Sequence, residues 1–297
     1  LAMAAHISLC ATPIYLFGTE EQKKKYLVPL AKGESLGSFC LSEPGSGSDA
    51  GAAKTMAVLK GDHYVLNGSK LWVTNGGVAD YFVVFAKTDP ERGVHGMSAF
   101  IVEKAFGGLN IGKKEDKLGV RASDTRPISI EDCHVPRENL LGVENEGFKQ
   151  ALVTLDGGRV GIGAMAVGLA QAAMEKSVAY SKEREAFGRP ISHFQAIKWM
   201  LADMATEIHA ARLMVFHAAR LRDAGKPYTK EAAMAKLFAS EAAMRATKNA
   251  IQIFGGYGYV KDYPVERYWR DAKLTTIGEG TSEVQRLVIS RKILEEL

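Results

Sequence analysis

The stretch Tyr268-Trp-Arg-Asp-Ala-Lys-Leu-Thr-Thr-Ile-Gly-Glu-Gly-Thr-Ser-Glu-Val-Gln-Arg286 organises the reading of this chain. It sets one carboxylate, Glu279, between Gly278 and Gly280, directly ahead of an expected helix start. Glycines let a backbone approach a ligand closely and adopt conformations that other residues resist. Ser282 and Gln285 have the spacing of a capping box, and Thr281 is a further capping candidate. A helix N-terminus there can face an anionic group. The plain alternative for Glu279 is a surface-loop carboxylate.

Four other segments stand out on either side of this loop. They are Phe39-Cys-Leu-Ser-Glu-Pro-Gly-Ser-Gly-Ser-Asp49, Leu71-Trp-Val-Thr-Asn-Gly-Gly77, Glu183-Arg-Glu-Ala-Phe-Gly-Arg189 followed by Gln195, and Gln252-Ile-Phe-Gly-Gly-Tyr-Gly258. Between them the hydrophobic period changes twice. Residues 1–33 read as helix, turn, helix, with Thr19-Glu-Glu-Gln22 as a capping box. From about 37 to 135 the runs are short and strand-like: His63–Leu66, Lys70–Thr74, Tyr81–Phe85, Ser98–Val102 and Pro127–Ile130. Asn67-Gly68 predicts a hairpin turn between the first two, and the spacing predicts a β-barrel or sandwich. From about 147 the period is helical. Ile197, Leu201, Met204, Ile208, Ala211 and Val215 form one buried stripe. Gly225-Lys-Pro227 breaks the chain, and Thr229 is the expected N-cap of the next helix. Long helices over about 147–183, 192–222, 229–254 and 281–296 predict an antiparallel four-helix bundle.

Composition narrows the class. The 297 residues are 46% hydrophobic and 24% charged, as in an ordinary globular protein with room for one large domain or two. The +4 formal charge arises from 38 basic and 34 acidic residues that are interspersed, which gives no nucleic-acid signature. Cys10, Cys40 and Cys133 are too scattered for a metal site or a disulfide framework, and a reducing compartment is the simplest reading. None of the seven histidines has metal-ligand spacing, and neither a Walker A motif nor a dinucleotide fingerprint occurs. No run suggests a membrane span or a signal peptide. The chain opens at Leu1 inside an Ala-rich run, so it reads as a piece of a longer protein.

The five segments, taken in order, resemble the signatures of the acyl-CoA dehydrogenases, FAD enzymes that desaturate acyl-CoA thioesters. The resemblance implies an α+β multi-domain fold. Residues 1–35 would end an N-terminal helical domain, 36–136 would form a β-domain, and 137–297 a four-helix bundle. It implies that Glu279 removes the substrate α-proton. A hydride would then leave the β-carbon for the flavin, and the thioester carbonyl would be polarised by the Glu279 N–H. The branch that resembles it most is the short-chain, butyryl-CoA type. Some members of the family place the base just before an arginine on a long helix. That position here is Gly158, in Leu155-Asp-Gly-Gly-Arg159, and it carries no carboxylate.

Further roles follow from the resemblance alone. Phe39, Leu41, Ser42, Trp72, Val73 and Thr74 would contact the flavin; barrel core and surface is the alternative for Trp72 and Thr74. Arg184 would meet the FAD pyrophosphate across a subunit interface, with Phe187, Phe194 and Gln195 nearby, although Ser192-His-Phe-Gln195 is itself a capping box. Gln252, Gly255 and Gly256 would reach the adenine-side portion, whereas a helix C-cap is the plainer reading of the glycines. Thr281, Ser282 and Glu283 complete the cofactor set. Ser48, Phe148, Asp156, Arg159, Gly280 and Arg291 would face the acyl-CoA, with a local ion pair as the alternative for Asp156 and Arg159.

Two positions depart from common members of the family. Gly278 stands where many have Tyr, which predicts a wider pocket beside the α-carbon unless a neighbour fills it. Ala186 lacks a hydroxyl that others carry. The implied partners are an acyl-CoA, electron-transfer flavoprotein and three further copies in a dimer of dimers, with no nucleic acid or membrane. The implied location is the bacterial cytoplasm, or the mitochondrial matrix for a eukaryotic source. A non-catalytic binding or assembly module and a related flavin oxidase are the competing readings.

Overall fold

The computed structural model describes residues 1–296; Leu297, the last residue of the expected helical domain, lies outside them. The chain forms two compact units. One comprises Leu1–Asp116 with Arg121–Gly158, and the other Lys117–Val120 with the residues from Arg159 onward.

The first unit opens with α1, Ala2–Phe17, and α2, residues 20–32. The expected capping box forms at the start of α2. Gln22 N–H donates to the Thr19 hydroxyl at 3.2 Å, and Thr19 N–H donates to the Gln22 side chain at 3.1 Å. Eight strands follow: β1 Gly37–Cys40, β2 Met56–Lys60, β3 His63–Thr74, β4 Tyr81–Lys87, β5 Met97–Glu103, β6 Leu109–Ile111, β7 Thr125–Pro136 and β8 Leu140–Leu141. They form one mixed sheet in the order β6-β7-β3-β2-β4-β5-β8, with β1 parallel to β4. The run Tyr81–Phe85 is apolar throughout because β4 is buried on both faces. Phe82, Val84 and Ala86 enter a core with Tyr64, Leu66, Val73, Ile128 and Val135 of β3 and β7. Val83 and Phe85 point the other way, to Cys10, Ile14, Tyr26 and Leu30 of the helices.

The expected hairpin at Asn67-Gly68 does not form. β3 runs unbroken from His63 to Thr74, and the turn lies earlier, at Gly61-Asp62, where β2 and β3 pair antiparallel. Gly68 instead marks a register shift against β7. A Cβ there would stand 2.5 Å from the Thr55 hydroxyl, so close packing and not chain reversal demands the glycine.

The second unit is helical. It holds most of α3, Gly147–Glu183, then α4, Gln195–Asp223, α5, Thr229–Phe254, α6, Val265–Thr275, and α7, Ser282–Glu296. Met204, Ile208, Ala211 and Val215 are buried as expected, with Ile197 and Leu201 packed beside them. Alanines at Ala166, Ala170, Ala173, Ala239, Ala243 and Ala246 let the helices approach closely. The sequence reading overlooked α6, a short and mostly polar helix that buries Val265, Ala272 and Thr275 on one face. Its Arg270 and Asp271 bind the segment Lys117–Val120: Arg270 Nη1 donates to Leu118 O at 2.8 Å, and Val120 N–H donates to Asp271 Oδ1 at 2.5 Å. Tyr228, not Thr229, occupies the N-cap of α5.

One expectation needs correction. The helix Gly147–Glu183 is long and apolar enough to cross a membrane by length and composition, although no such run was anticipated. Half of its most apolar window is buried inside the protein, and Ala166, Ala170 and Ala173 lie in the helical core. The buried half of that window packs in the helical core.

Candidate active site

Helix α6 ends with the Ile277 and Gly278 amides both bonded to Leu274 O at 2.9 Å. The chain then turns sharply. Glu279 has φ 56° and Gly280 φ 90°, both in the left-handed region. The positive φ demands glycine at Gly280, and a Cβ there would also press on the Gln285 amide at 2.7 Å. Gly278 is different. A Cβ there would make ordinary contact with Leu274, at 3.6 Å from its carbonyl oxygen, so a side chain is tolerated.

The carboxyl of Glu279 is not a surface group. The residue as a whole is half-buried, but Oε2 is sealed from solvent and has no hydrogen-bond partner among the described residues. Burial pushes this carboxyl up to about 7, against the pull of the Lys236 and Arg159 charges. Its backbone N–H also takes no acceptor among the described residues. A base poised near neutrality beside an unused amide donor suits proton abstraction next to a carbonyl.

The capping box expected from Ser282 and Gln285 is absent. Thr281 caps α7 instead, its hydroxyl accepting from Val284 N–H at 3.3 Å. Gln285 Nε2 is drawn away to the carbonyls of Gly280, at 2.9 Å, and Glu279, at 3.3 Å. Ser282 Oγ and Gln285 Oε1 are left buried without partners. Glu283 is exposed, and its own amide and the Thr281 hydroxyl hold it below the usual carboxylate range. Arg291 lies on the outside of α7, 3.7 Å from Glu295.

In the first unit, the segments around Leu41 and Trp72 are joined by a buried ion pair. Lys70 Nζ lies 2.7 Å from Glu43 Oε1 and donates to Leu41 O at 3.3 Å. Glu43 also accepts from Lys54 N–H, Thr55 N–H and the Thr55 hydroxyl at 2.6–3.0 Å. Leu71 N–H donates to Ser42 O at 2.8 Å. Trp72 sits in the register shift between Lys70 and Val73, with φ 59° and 60% of its surface exposed. It is therefore neither core nor regular strand surface. Val73 is buried, Thr74 half-buried, and Phe39 packs against Phe85 with ring centroids 5.0 Å apart. Ser48 is exposed in its loop and Phe148 half-buried against the core of this unit. Asp156 and Arg159 are both buried on α3.

The second unit contains a cavity of about 560 Å³ lined by Arg184, Gly255, Gly256, Tyr180, Phe254 and Tyr257, among others. Two separate motifs of the sequence thus meet in one hollow. Between α3 and α4 the chain forms a small hairpin, Glu185–Ala186 against Arg189–Pro190. Its turn residues Phe187 and Gly188 both have positive φ, as a tight hairpin requires. Phe187 is 94% exposed and meets Phe194 edge-on at 6.0 Å. Phe194 is the N-cap of α4 and no side chain caps that helix, so the rival capping role of Gln195 does not materialise. Gln195 and Gln252 are exposed.

Three segments match, in order, the N-terminal, middle and C-terminal domains of acyl-CoA dehydrogenases, at residues 1–34, 38–133 and 145–294. The chain belongs to the acyl-CoA dehydrogenase family. It is 59% identical to the short-chain specific acyl-CoA dehydrogenase of Clostridium acetobutylicum over 98% of this chain and 77% of that protein. The rat mitochondrial short-chain enzyme is 53% identical over 98% of this chain and 71% of its own length. Butyryl-CoA dehydrogenase of Megasphaera elsdenii superposes with a TM-score of 0.98 at 52% identity, covering 99% of this chain and 77% of that one.

FAD is the cofactor of this family, and the residues present fit it. Arg184 offers a planar fork of donors suited to phosphate oxygens. Tyr180, Phe254 and Tyr257 give the same cavity ring faces, and side chains added at Gly255 or Gly256 would project into open space. The orphaned Ser282 Oγ and Gln285 Oε1 supply polar atoms that await a partner. Sequence reasoning missed Lys236, Lys70 and Glu43. The two lysines are at most 1% exposed and Glu43 is 8% exposed, a state that composition predicts only rarely for such residues.

Proposed function

We propose that this acyl-CoA dehydrogenase family member converts a short-chain acyl-CoA to the trans-2-enoyl-CoA and delivers the electrons to electron-transfer flavoprotein. The observation that carries the reading is the Glu279 carboxyl, its Oε2 sealed and without a partner among the described residues, and poised to ionise near neutral pH. When bound, FAD supplies the two-electron acceptor for the β-hydride. Glu279 Oε2 takes the α-proton, and the Glu279 N–H donates to the thioester carbonyl as negative charge develops there. Phe39, Leu41, Ser42, Trp72, Val73 and Thr74 hold the flavin ring. Arg184, Phe187, Phe194, Gln195, Gln252, Gly255 and Gly256 hold the nucleotide end, from a neighbouring copy in a dimer of dimers. Thr281, Ser282 and Glu283 line the cofactor at the start of α7. Ser48, Phe148, Asp156, Arg159, Gly280 and Arg291 bind the acyl-CoA. A chain solved in work on the electron transferring flavoprotein of Acidaminococcus fermentans is 60% identical with a TM-score of 0.98, which supports that acceptor. Anaerobic mixing of the yellow protein with butyryl-CoA should bleach the flavin. A protein that retains FAD but is not bleached by any acyl-CoA of four to six carbons overturns the reading.

Replacing Arg184 by Ala should weaken FAD retention about 10- to 100-fold, the value of a charge-assisted hydrogen bond to phosphate. It should also loosen the assembly. Flavin content after dialysis and sedimentation velocity measure both, and no change in either removes Arg184 from the cofactor site.

A Cβ at Gly278 would make only ordinary contact with Leu274, and an aromatic ring carried on it is expected to narrow the space beside the base. Gly278→Tyr should disfavour branched acyl-CoAs relative to straight ones by roughly 10- to 200-fold in kcat/KM, the range for one or two methyl contacts. Butyryl-CoA compared with isovaleryl- and 2-methylbutyryl-CoA is the measurement. Unmoved ratios would show that Leu274, or another neighbour, already sets the width.

A further inference from the structure

Lys236 on α5 carries a charge for which the reaction as described has no use. It is fully buried, and its Nζ donates to the carbonyl of Gly280 at 2.6 Å. Gln285 Nε2, from α7, bonds the same carbonyl at 2.9 Å. Donors from two helices therefore converge on the peptide that follows the base. Glu279 is held at φ 56°, a conformation that a glutamate keeps only where its surroundings over-determine it. A neutral donor would satisfy a carbonyl equally well, whereas a buried ammonium is costly unless something compensates it.

The charges around Lys236 show what it acts on. Burial pushes the ammonium down to about 8; the Glu279 charge pulls it up, Arg159 on α3 pushes it down, and Glu283 on α7 pulls it up. The effect is mutual, since Lys236 and then Arg159 oppose the burial that pushes Glu279 up. The ammonium nevertheless bonds the loop carbonyl and not the carboxylate, so Oε2 keeps its lone pairs for a proton. A direct ion pair would suppress the base, whereas a nearby charge only makes the carboxylate easier to form.

We infer that Lys236 is a positioning residue for the base: it pins the Gly280 carbonyl, holds Glu279 in its left-handed conformation, and favours the ionised carboxylate by its charge. This rests on the reading of Glu279 as the base. Lys236→Met removes pin and charge together; Lys236→Gln keeps a shorter N–H donor without the charge and carries the test if the first variant does not fold.

Two measurements decide the matter. In the FAD-loaded protein, the acid limb of the bleaching rate with butyryl-CoA should move up by about one pH unit in either variant. In the chain as purified without added flavin, the thermal midpoint should fall as pH rises through the Glu279 titration, and the pH at which that fall ends should move upward by a similar amount. Glu279→Gln should abolish the fall, and Lys236→Met on that background should no longer move it. An acid limb that stays put, with a midpoint lowered equally at every pH, would reduce Lys236 to a structural residue and overturn the inference. If Glu279→Gln still bleaches, the reading of the base fails, but the midpoint comparison still decides whether Lys236 acts on Glu279.

Discussion

Glu279→Gln is expected to keep FAD bound and to slow flavin bleaching by butyryl-CoA by about 10²- to 10⁴-fold, the contribution of a positioned general base. The substitution preserves shape and removes only the ability to take a proton. The same variant makes a prediction about stability. Burial raises the Glu279 carboxyl from 4.5 to about 7, so the folded state favours the neutral form. A raised folded value means that the stabilisation is fully present below about pH 4.5 and is lost as pH rises through about 7. At pH 8 the buried carboxylate then burdens the fold by about 3 kcal/mol relative to low pH. Glu279→Gln should therefore be more stable than the natural chain at pH 8 and nearly equal to it at pH 4. Urea unfolding at the two pH values tests this. Equal offsets at both would mean that the carboxyl is not desolvated, and undiminished bleaching would mean that another group takes the proton.

Lys70→Met is expected to cost about 3–5 kcal/mol of stability, because it leaves the Glu43 carboxylate buried and unpaired. Glu43 keeps three donors from Lys54 and Thr55 after the change but loses the Lys70 charge, the main opponent of its burial. The substitution also frees Leu41 O, and FAD retention should fall with stability. The double variant Glu43→Gln with Lys70→Met should recover most of the loss, since no buried charge remains. Denaturant titration of the two single variants and the double variant gives the coupling. A single variant within about 1 kcal/mol of the natural chain would show that water reaches this pair.

The helical part of the fold was legible because its signals are local. The stripe from Ile197 to Val215 repeats at the helical period, and the four long helices lie close to where that period places them. The strand run Tyr81–Phe85 was equally plain. The hairpin at Asn67-Gly68 misled because a dipeptide favours a turn without requiring one. Here the contact of Gly68 with Thr55 and the pairing with β7 kept the strand continuous through it, with a shift of register. The capping boxes divide by how each glutamine is oriented. Gln22 Nε2 bonds the Glu138 and Leu140 carbonyls and leaves Oε1 facing Thr19 N–H, whereas Gln285 Nε2 turns to two loop carbonyls and Ser282 goes unbonded.

Residue types and spacing nominated Glu279 and its glycine frame, and the resemblance to the acyl-CoA dehydrogenases singled out the five segments, because a reaction constrains which side chains appear and how tightly the backbone must turn. Tertiary structure alone decided the rest. It put Trp72, Phe187 and Glu279 at positive φ, brought Arg184 to Gly255 and Gly256, and buried Lys70 and Lys236. A chain of letters does not carry desolvation. Whether a carboxyl ionises at 4.5 or near 7, and whether a lysine faces water or a carbonyl, depends on which distant segments fold over it.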